Sequence, residues 1–277
     1  MPTAPGEFAR LVEIMAVLRS PNGCPWDREQ TLDSLVQFVL EEAHEVIDAI
    51  ERHDLEALRE EIGDHIFEGV FLAQIASELG AFEVAESLKA VADKLVRRHP
   101  HVFQDDGRVH DVGSRERAPS ARAALARWDA QKAQERGQSP GVLASLPRSL
   151  PGLLAAYKLG KRAATAGFDW ANAADVIAKI EEEVAELRDT LHGDPSDLAR
   201  AEEEMGDLLF AIANFSRKLG IEPEAALRRA NLKFTERFKT MESRIAASGR
   251  SMQDLTLEEL EAEWQATKAE ETKGHAR

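Results

Sequence analysis

Residues 36–50 read VQFVLEEAHEVIDAI and residues 60–80 read EEIGDHIFEGVFLAQIASELG. In the first stretch Val36, Val39, Leu40, Ala43, Ile47 and Ile50 recur at the i, i+3, i+4, i+7 spacing that lines one helical face. That spacing predicts an amphipathic helix over about 31–52, with Thr31 or Asp33 near its start. In the second stretch Ile66, Phe67, Val70, Phe71, Leu72, Ile75 and Leu79 point nearly all round the axis, the pattern of a helix covered on most sides. It is expected over roughly 54–79, with Gly80 as its stop. A third helix, about 82–98, ends at Arg97-Arg98-His99-Pro100, because proline cannot continue a regular helix. Runs of alternating β-branched residues are nearly absent, so the fold class is all-α.

The same pattern returns later in the chain. Trp26-Asp27 is echoed by Phe168-Asp169, Glu41-Glu42-Ala43-His44-Glu45 by Glu182-Glu183-Val184-Ala185-Glu186, and Glu60-Glu61-Ile62-Gly63-Asp64 by Glu203-Glu204-Met205-Gly206-Asp207. The offsets are 142, 141 and 143 residues, and this constancy implies a tandem duplication of one helical module. Leu208-Leu209-Phe210 matches His65-Ile66-Phe67, so the second apolar helix is expected at roughly 196–219, before Gly220. Between the copies the chain is rich in Gly, Asp, Arg, Ser and Pro around one candidate helix near Ala121–Arg136. The expected organisation is a first module over 1–103, a linker over 104–140 and a second module over 141–277.

Each half thus carries Glu-Glu-x-x-Glu on one helix and Glu-x-x-Asp at the start of the next. Residues three or four apart share a helical face with Cβ atoms ~5–6 Å apart. Glu42 with Glu45, and Glu61 with Asp64, can therefore converge on a cation from two antiparallel helices. Oxygen donors without thiolate suit Mg²⁺ or Mn²⁺, and Mg²⁺ takes few protein ligands, completing its octahedron with water and substrate phosphate. A nucleoside triphosphate meets that demand. Charge runs usually lie on solvated faces, but Asp64 heads a row leading to Phe71 and Ile75, and Glu204 one leading to Leu208 and Phe215. Carboxylates grouped in such surroundings repel one another unless protonated or bound to a cation. Gly63 and Gly206, just before the aspartates, cost ~1 kcal/mol each relative to Ala within a helix, and close approach of another backbone is the expected reason.

Basic residues follow. Lys94 and Arg98 on the third helix correspond to Lys233 and Arg237, each pair at i, i+4, so each can hold phosphate oxygens as readily as it can serve solubility. Lys158, Lys161 and Arg162 form a basic stripe before the second carboxylate helix, where the first half offers only Arg19.

The 277 residues suffice for two ordinary domains, and 50 acidic against 35 basic residues leave a formal net charge of −15. Such a charge repels nucleic-acid polymers and anionic lipid, whereas a triphosphate carrying divalent ions is drawn to carboxylates. The single cysteine, Cys24, forms no internal disulfide and has no evident activating base. No apolar run approaches the ~20 residues that span a membrane, and neither a basic n-region nor a cleavable apolar segment opens the chain. A cytoplasmic protein is expected.

Taken in order, these motifs resemble the MazG family: Glu-Glu-x-x-Glu, Glu-x-x-Asp about 15 residues later, then a Lys/Arg helix, all twice over. Cys24-Pro25-Trp26-Asp27, Arg97-Arg98-His99-Pro100-His101-Val102-Phe103, Gly167-Phe168-Asp169-Trp170 and Asn231-Leu232-Lys233-Phe234 also look like full-length bacterial members, so the likeness spans nearly the whole chain. It implies hydrolysis of NTPs or dNTPs to monophosphate and pyrophosphate, in house-cleaning or control of the nucleotide pool. It also implies a homodimer or higher homo-oligomer, with helices of two chains forming each four-helix core. Carried over residue by residue, Glu42, Glu45, Glu61 and Asp64 are the metal ligands of the first half, and Glu183, Glu186, Glu204 and Asp207 those of the second. Glu41 and Glu182 are candidates to orient or deprotonate the attacking water. Lys94, Arg98, Lys158, Lys161, Arg162, Trp170, Asn231, Lys233 and Arg237 are the substrate-binding candidates.

Two other readings fit parts of the same pattern. A di-iron carboxylate bundle would use Glu41-x-x-His44, but Ala185 stands where His44 recurs and no second Glu-x-x-His is present. A helical scaffold could bind Mg-nucleotide in one or both halves without turnover. Both halves keep all four ligand carboxylates, so the choice between them rests on the surroundings. The basic stripe and Asn231 favour the second half for the chemistry.

Overall fold

The computed structural model describes residues 3–104, 106–111, 120–136, 141–144, 146–191 and 198–274. Among them are eleven α-helices, one 3-10 turn at Met252–Asp254 and a single isolated bridge between Phe103 and Val109. The chain divides into two compact units, Met1–Gly137 and Gln138–Arg277.

In the first unit α1 (Ala4–Arg19) and the short α2 (Pro25–Glu29) precede a long hairpin of α3 (Val36–Glu51) and α4 (Leu55–Glu78), followed by α5 (Val84–Arg98) and α6 (Ala121–Arg136). The first carboxylate helix begins later than its periodicity suggests. Thr31 and Ser34 exchange side-chain-to-backbone hydrogen bonds of 2.9 and 3.1 Å, which hold the chain in a turn before Val36. At the other end His53 takes a left-handed φ of 56°, and Asp54 then caps α4 by accepting from the backbone N–H groups of Glu56 and Ala57. So short a connection returns α4 antiparallel along α3. Gly80, with φ 68°, ends the turn after α4.

The core of this unit gathers Met15, Leu35, Val70, Phe71 and Ile75, flanked by Phe8, Leu11, Phe38 and Phe67. Phe71 is 1 % exposed, and truncating such a ring to Ala costs about 3–5 kcal/mol. Arg19 closes the end of the core. Its guanidinium lies 2.7 Å from Glu78 Oε2, donates to the carbonyl oxygens of Asp27 and Gln30, and stands over the Phe71 ring. Arg19 therefore joins α1 to α4 and to the end of α2. Helix α5 is strongly amphipathic yet buries no residue; Leu88, Val91 and Leu95 remain exposed.

The second unit repeats the plan with α7 (Gly152–Thr165), α8 (Ala173–Thr190), α9 (Leu198–Lys218), α10 (Pro223–Ala247) and α11 (Leu257–Gly274). Asn172 and Asp175 form a reciprocal capping box that fixes the start of the second carboxylate helix. Helices α8 and α9 pack along each other, α7 lies on α9, and α10 touches α7, α9 and α11. A Cβ on Gly160 would fall 1.9 Å from Asn214 Oδ1, so the small residue is what lets α7 approach α9. At Gly63 and Gly206 an added Cβ would meet nothing within 4 Å in the single chain, so neither glycine is needed for packing within its own unit. No helix among the described residues is long and apolar enough to cross a membrane.

Candidate metal centre

Each carboxylate row is delivered by one helix pair. Helix α3 carries Glu41, Glu42 and Glu45, and α4 brings Glu61 and Asp64 against them. One oxygen from each of Glu42, Glu45 and Glu61 lies within 4.8 Å of the others. The pair α8 and α9 does the same with Glu183, Glu204 and Asp207. Asp64 and Glu186, the fourth carboxylate of each set, stand just outside these groups, yet both act on them electrostatically. Glu42 is pushed above the ordinary carboxylate value by loss of water, then by Glu45, Asp64 and Glu41. Glu61 is raised by loss of water and then by Glu45, a close charge that also shares a hydrogen bond with it. Glu186 is raised by loss of water, then by Glu204 and Glu183.

The donors are all carboxylate oxygens. Glu42 Oε2 and Glu183 Oε2 are buried with no hydrogen-bond partner among the described residues. An unsatisfied buried carboxylate oxygen is costly, and a hard divalent cation removes that cost, so the residues fit such an ion. Neither three-carboxylate group contains a histidine, and His44 is exposed on α3 outside the first.

The two rows differ in the cations the protein itself supplies. In the second, Lys179 Nζ lies 2.6 Å from Glu183 Oε1 and donates at 2.9 Å to Glu182, and Arg200 stands 3.7 Å from Glu204. In the first, none of the described ion pairs involves Glu42, Glu45, Glu61 or Asp64. Instead α4 adds another acid, Glu68, 7 % exposed and raised by loss of water, then by Glu42 and Asp64. Motif spacing singled out neither Lys179 nor Glu68. Lys179 was visible as the residue four before Glu183, whereas Glu68 stands where the repeat has Ala211.

The basic candidates are distributed as follows. Lys94 and Arg98 sit half-buried near the end of α5, and the Arg98 guanidinium lies 5.7 Å from the centre of the Trp128 ring. Lys158 and Lys161 are exposed on α7, while Arg162 donates to the carbonyls of Leu143 and Ala144, tying α7 to the preceding segment. Asn231 and Lys233 are exposed on α10, and Arg237 Nε donates to Glu271 Oε2 at 2.7 Å. Trp170 is half-buried ahead of α8, its carbonyl accepting from Lys218.

The MazG nucleotide pyrophosphohydrolase domain matches this chain twice, over residues 30–103 and 172–241, the segments that hold the two carboxylate rows. The chain belongs to the MazG family. Among its MazG relatives, the nucleoside triphosphate pyrophosphohydrolase of Escherichia coli K12 is 45 % identical over 268 residues, covering 96 % of this chain and 98 % of the relative. The nucleoside triphosphate pyrophosphohydrolase/pyrophosphatase MazG of Thermotoga maritima is 41 % identical over 262 residues, covering 94 % and 95 %. The similarity to both relatives therefore spans the tandem arrangement as well as the single module.

Proposed function

We infer that this chain hydrolyses nucleoside triphosphates, NTPs or dNTPs, to the monophosphate and pyrophosphate, with Mg²⁺ as its natural ion and Mn²⁺ as a substitute. The observation that carries this reading is the convergence of three carboxylates from two helices, twice in one chain, at the segments matching the MazG domain. Glu42, Glu45, Glu61 and Asp64 would hold the ion in the first half, and Glu183, Glu186, Glu204 and Asp207 in the second. When bound, Mg²⁺ screens the phosphate oxygens and stabilises the charge on the departing pyrophosphate.

The remaining work falls to side chains. Glu41 and Glu182, exposed beside the three-carboxylate groups, take the proton of the attacking water. The water oxygen bonds to phosphorus as the bridge between the α- and β-phosphates breaks, with the pyrophosphate leaving in line. Lys233 and Arg237 with Asn231, together with Lys158 and Lys161, bind phosphate oxygens in the second half, and Lys94 and Arg98 do so in the first. Arg162 contributes more as the tie to residues 143 and 144, and Trp170 offers a ring for the base. The exposed basic residues of α7 and α10, with Asn231, support the larger share of turnover in the second half, whereas Lys179 and Arg200 pair with carboxylates that an ion would use.

Oligomerisation completes the reading. Ile62 and Ile66 on α4, Leu88, Val91 and Leu95 on α5, and Leu209 and Phe210 on α9 are exposed in the single chain, and a second copy supplies the cover such helix faces require. Light scattering should give at least twice the 30.6 kDa of one chain; a compact monomer at micromolar concentration would count against it. The acidic surface and lone half-buried cysteine accord with a cytoplasmic enzyme acting on free nucleotides rather than on nucleic-acid polymers. The deciding experiment is pyrophosphate release across the common NTPs and dNTPs with and without divalent ion.

A further inference from the structure

The helices that follow the two Lys/Arg helices are related to each other. Residues 126–133 of α6 read ARWDAQKA and residues 262–269 of α11 read AEWQATKA, with Ala, Trp, Ala, Lys and Ala in the same register. The repeat thus reaches past α5 and α10 to the helix after each. In both halves that helix holds the arginine of the preceding Lys/Arg pair. Trp128 on α6 offers its ring to Arg98 of α5, with 5.7 Å between the guanidinium carbon and the ring centre. Glu271 on α11 accepts from Arg237 Nε of α10 at 2.7 Å. Arg98 and Arg237 are counterparts, yet Trp128 corresponds to Trp264, which packs on Phe234 with ring centroids 5.3 Å apart. The grip on the arginine therefore recurs through a different residue of the same helix.

The chemistry of the Arg237 contact separates a support from a competitor. A carboxylate that took the place of a phosphate would occupy the Nη groups used for paired recognition of oxygens. Glu271 instead takes Nε and leaves both Nη groups without a hydrogen-bond partner among the described residues. Arg237 remains 21 % exposed, so a ligand can reach it. Helix α11 is itself fastened to α10, because Glu263 and Glu270 both pair with Arg244. An arginine fixed in this way loses fewer side-chain conformations when a phosphate arrives.

We propose that Glu271 is a positioning residue of the second site, holding the Arg237 guanidinium through Nε so that its Nη groups meet a phosphate oxygen of the triphosphate. This rests on the reading of Arg237 as a phosphate ligand. It gives α11, which lies beyond the matched segment 172–241, a part in substrate binding.

The test measures pyrophosphate release from each common NTP with Mg²⁺ by full-length chains carrying Glu271→Ala, Glu271→Gln, Arg237→Ala or both alanines, with Tm as the check on folding. Glu271→Ala should raise KM about tenfold and leave kcat within about twofold, the pattern of lost substrate binding. Glu271→Gln, whose amide oxygen still accepts from Nε, should keep KM within about threefold of wild type. If Glu271→Ala does not fold, Glu271→Asp, which withdraws the acceptor from Nε, carries the same prediction. Arg237→Ala should raise KM at least as much, and adding Glu271→Ala to it should change nothing further. A lower KM in Glu271→Ala would make the glutamate a competitor of the phosphate, and additive losses in the double variant would give it a role apart from Arg237. Either result overturns the proposal. An unchanged KM in Glu271→Ala beside a raised KM in Arg237→Ala also refutes it, while the phosphate role of Arg237 stands. An unchanged KM in Arg237→Ala, or no turnover in wild type, removes that role and the positioning with it.

Discussion

The Lys179 ammonium nitrogen lies 2.6 Å from Glu183 Oε1 and also donates to Glu182, so the second carboxylate row carries a tethered cation where the first has Phe38. The hydrogen bonds to Glu183 and then Glu182 raise the lysine's pKa, which keeps it charged through neutral pH. A divalent ion arriving at Glu183 must share that carboxylate or displace the ammonium.

Lys179→Met should therefore tighten Mn²⁺ binding at the second half, by up to about fivefold for an exchange with a partly exposed ion pair, and leave the first half unchanged. Titration of the metal-free chain resolves the two classes of site. Unchanged affinity would mean that ammonium and metal do not compete for Glu183.

The raised carboxylates give the metal-free protein a characteristic pH dependence. Glu42 and Glu61 have folded pKa values above the ordinary 4.5, chiefly through loss of water and then through Glu45. Such groups favour the folded state while protonated, and that contribution is lost as pH rises through the raised values. Bound Mg²⁺ removes the loss, so its Tm increment should be larger near about pH 7 than near about pH 5. Equal increments at both would contradict the coupling.

Asp169 has the opposite sign. Arg217 first, then Lys218, hold its pKa at about 2 against loss of water, below the ~3.9 of an unfolded chain. Its stabilisation is fully present above the unfolded value and is lost as pH falls through about 2. With the side chain 26 % exposed, Asp169→Asn should cost about 1 kcal/mol at neutral pH. Urea midpoints should differ at neutral pH and converge near the folded pKa; a difference that persists there would show that the pair is not its source.

The helices were legible in the sequence because their apolar rows are long and recur at a fixed offset. Leu55–Glu78 and Leu198–Lys218 follow from periodicity and a terminal glycine. The start of α3 did not, because the Thr31–Ser34 exchange competes locally with helix formation. The carboxylate groups were legible through their i, i+3 spacing. Glu68 was hidden within an apolar row and has no acidic counterpart in the repeat. Arg162 shows a different limit: it lies in a basic stripe, but its carbonyl acceptors at 143 and 144 are distant in sequence, and no spacing rule joins them. Gly63 and Gly206 serve no close approach within the single chain, where open space surrounds both, so their reason is not legible from one copy's spacing.

The halves should contribute unequally to turnover. Glu183→Ala or Asp207→Ala should lower kcat by about 100-fold or more, the scale of losing oriented charge at a reacting centre. Glu42→Ala or Asp64→Ala should cost much less of the total. The reverse pattern in folded protein would transfer the chemistry to the first half.

The most direct measurement follows both products, nucleoside monophosphate and pyrophosphate, from each common NTP and dNTP with Mg²⁺, with EDTA, and with Mg²⁺ restored. Wild type should release the two in equal amounts, stop in EDTA and recover with Mg²⁺ or Mn²⁺. The chain carrying both Glu42→Gln and Glu183→Gln should be folded and inactive. Full turnover in EDTA or in that double variant, or release of nucleoside diphosphate with inorganic phosphate, would contradict the assignment of the two carboxylate rows as metal-dependent pyrophosphohydrolase sites.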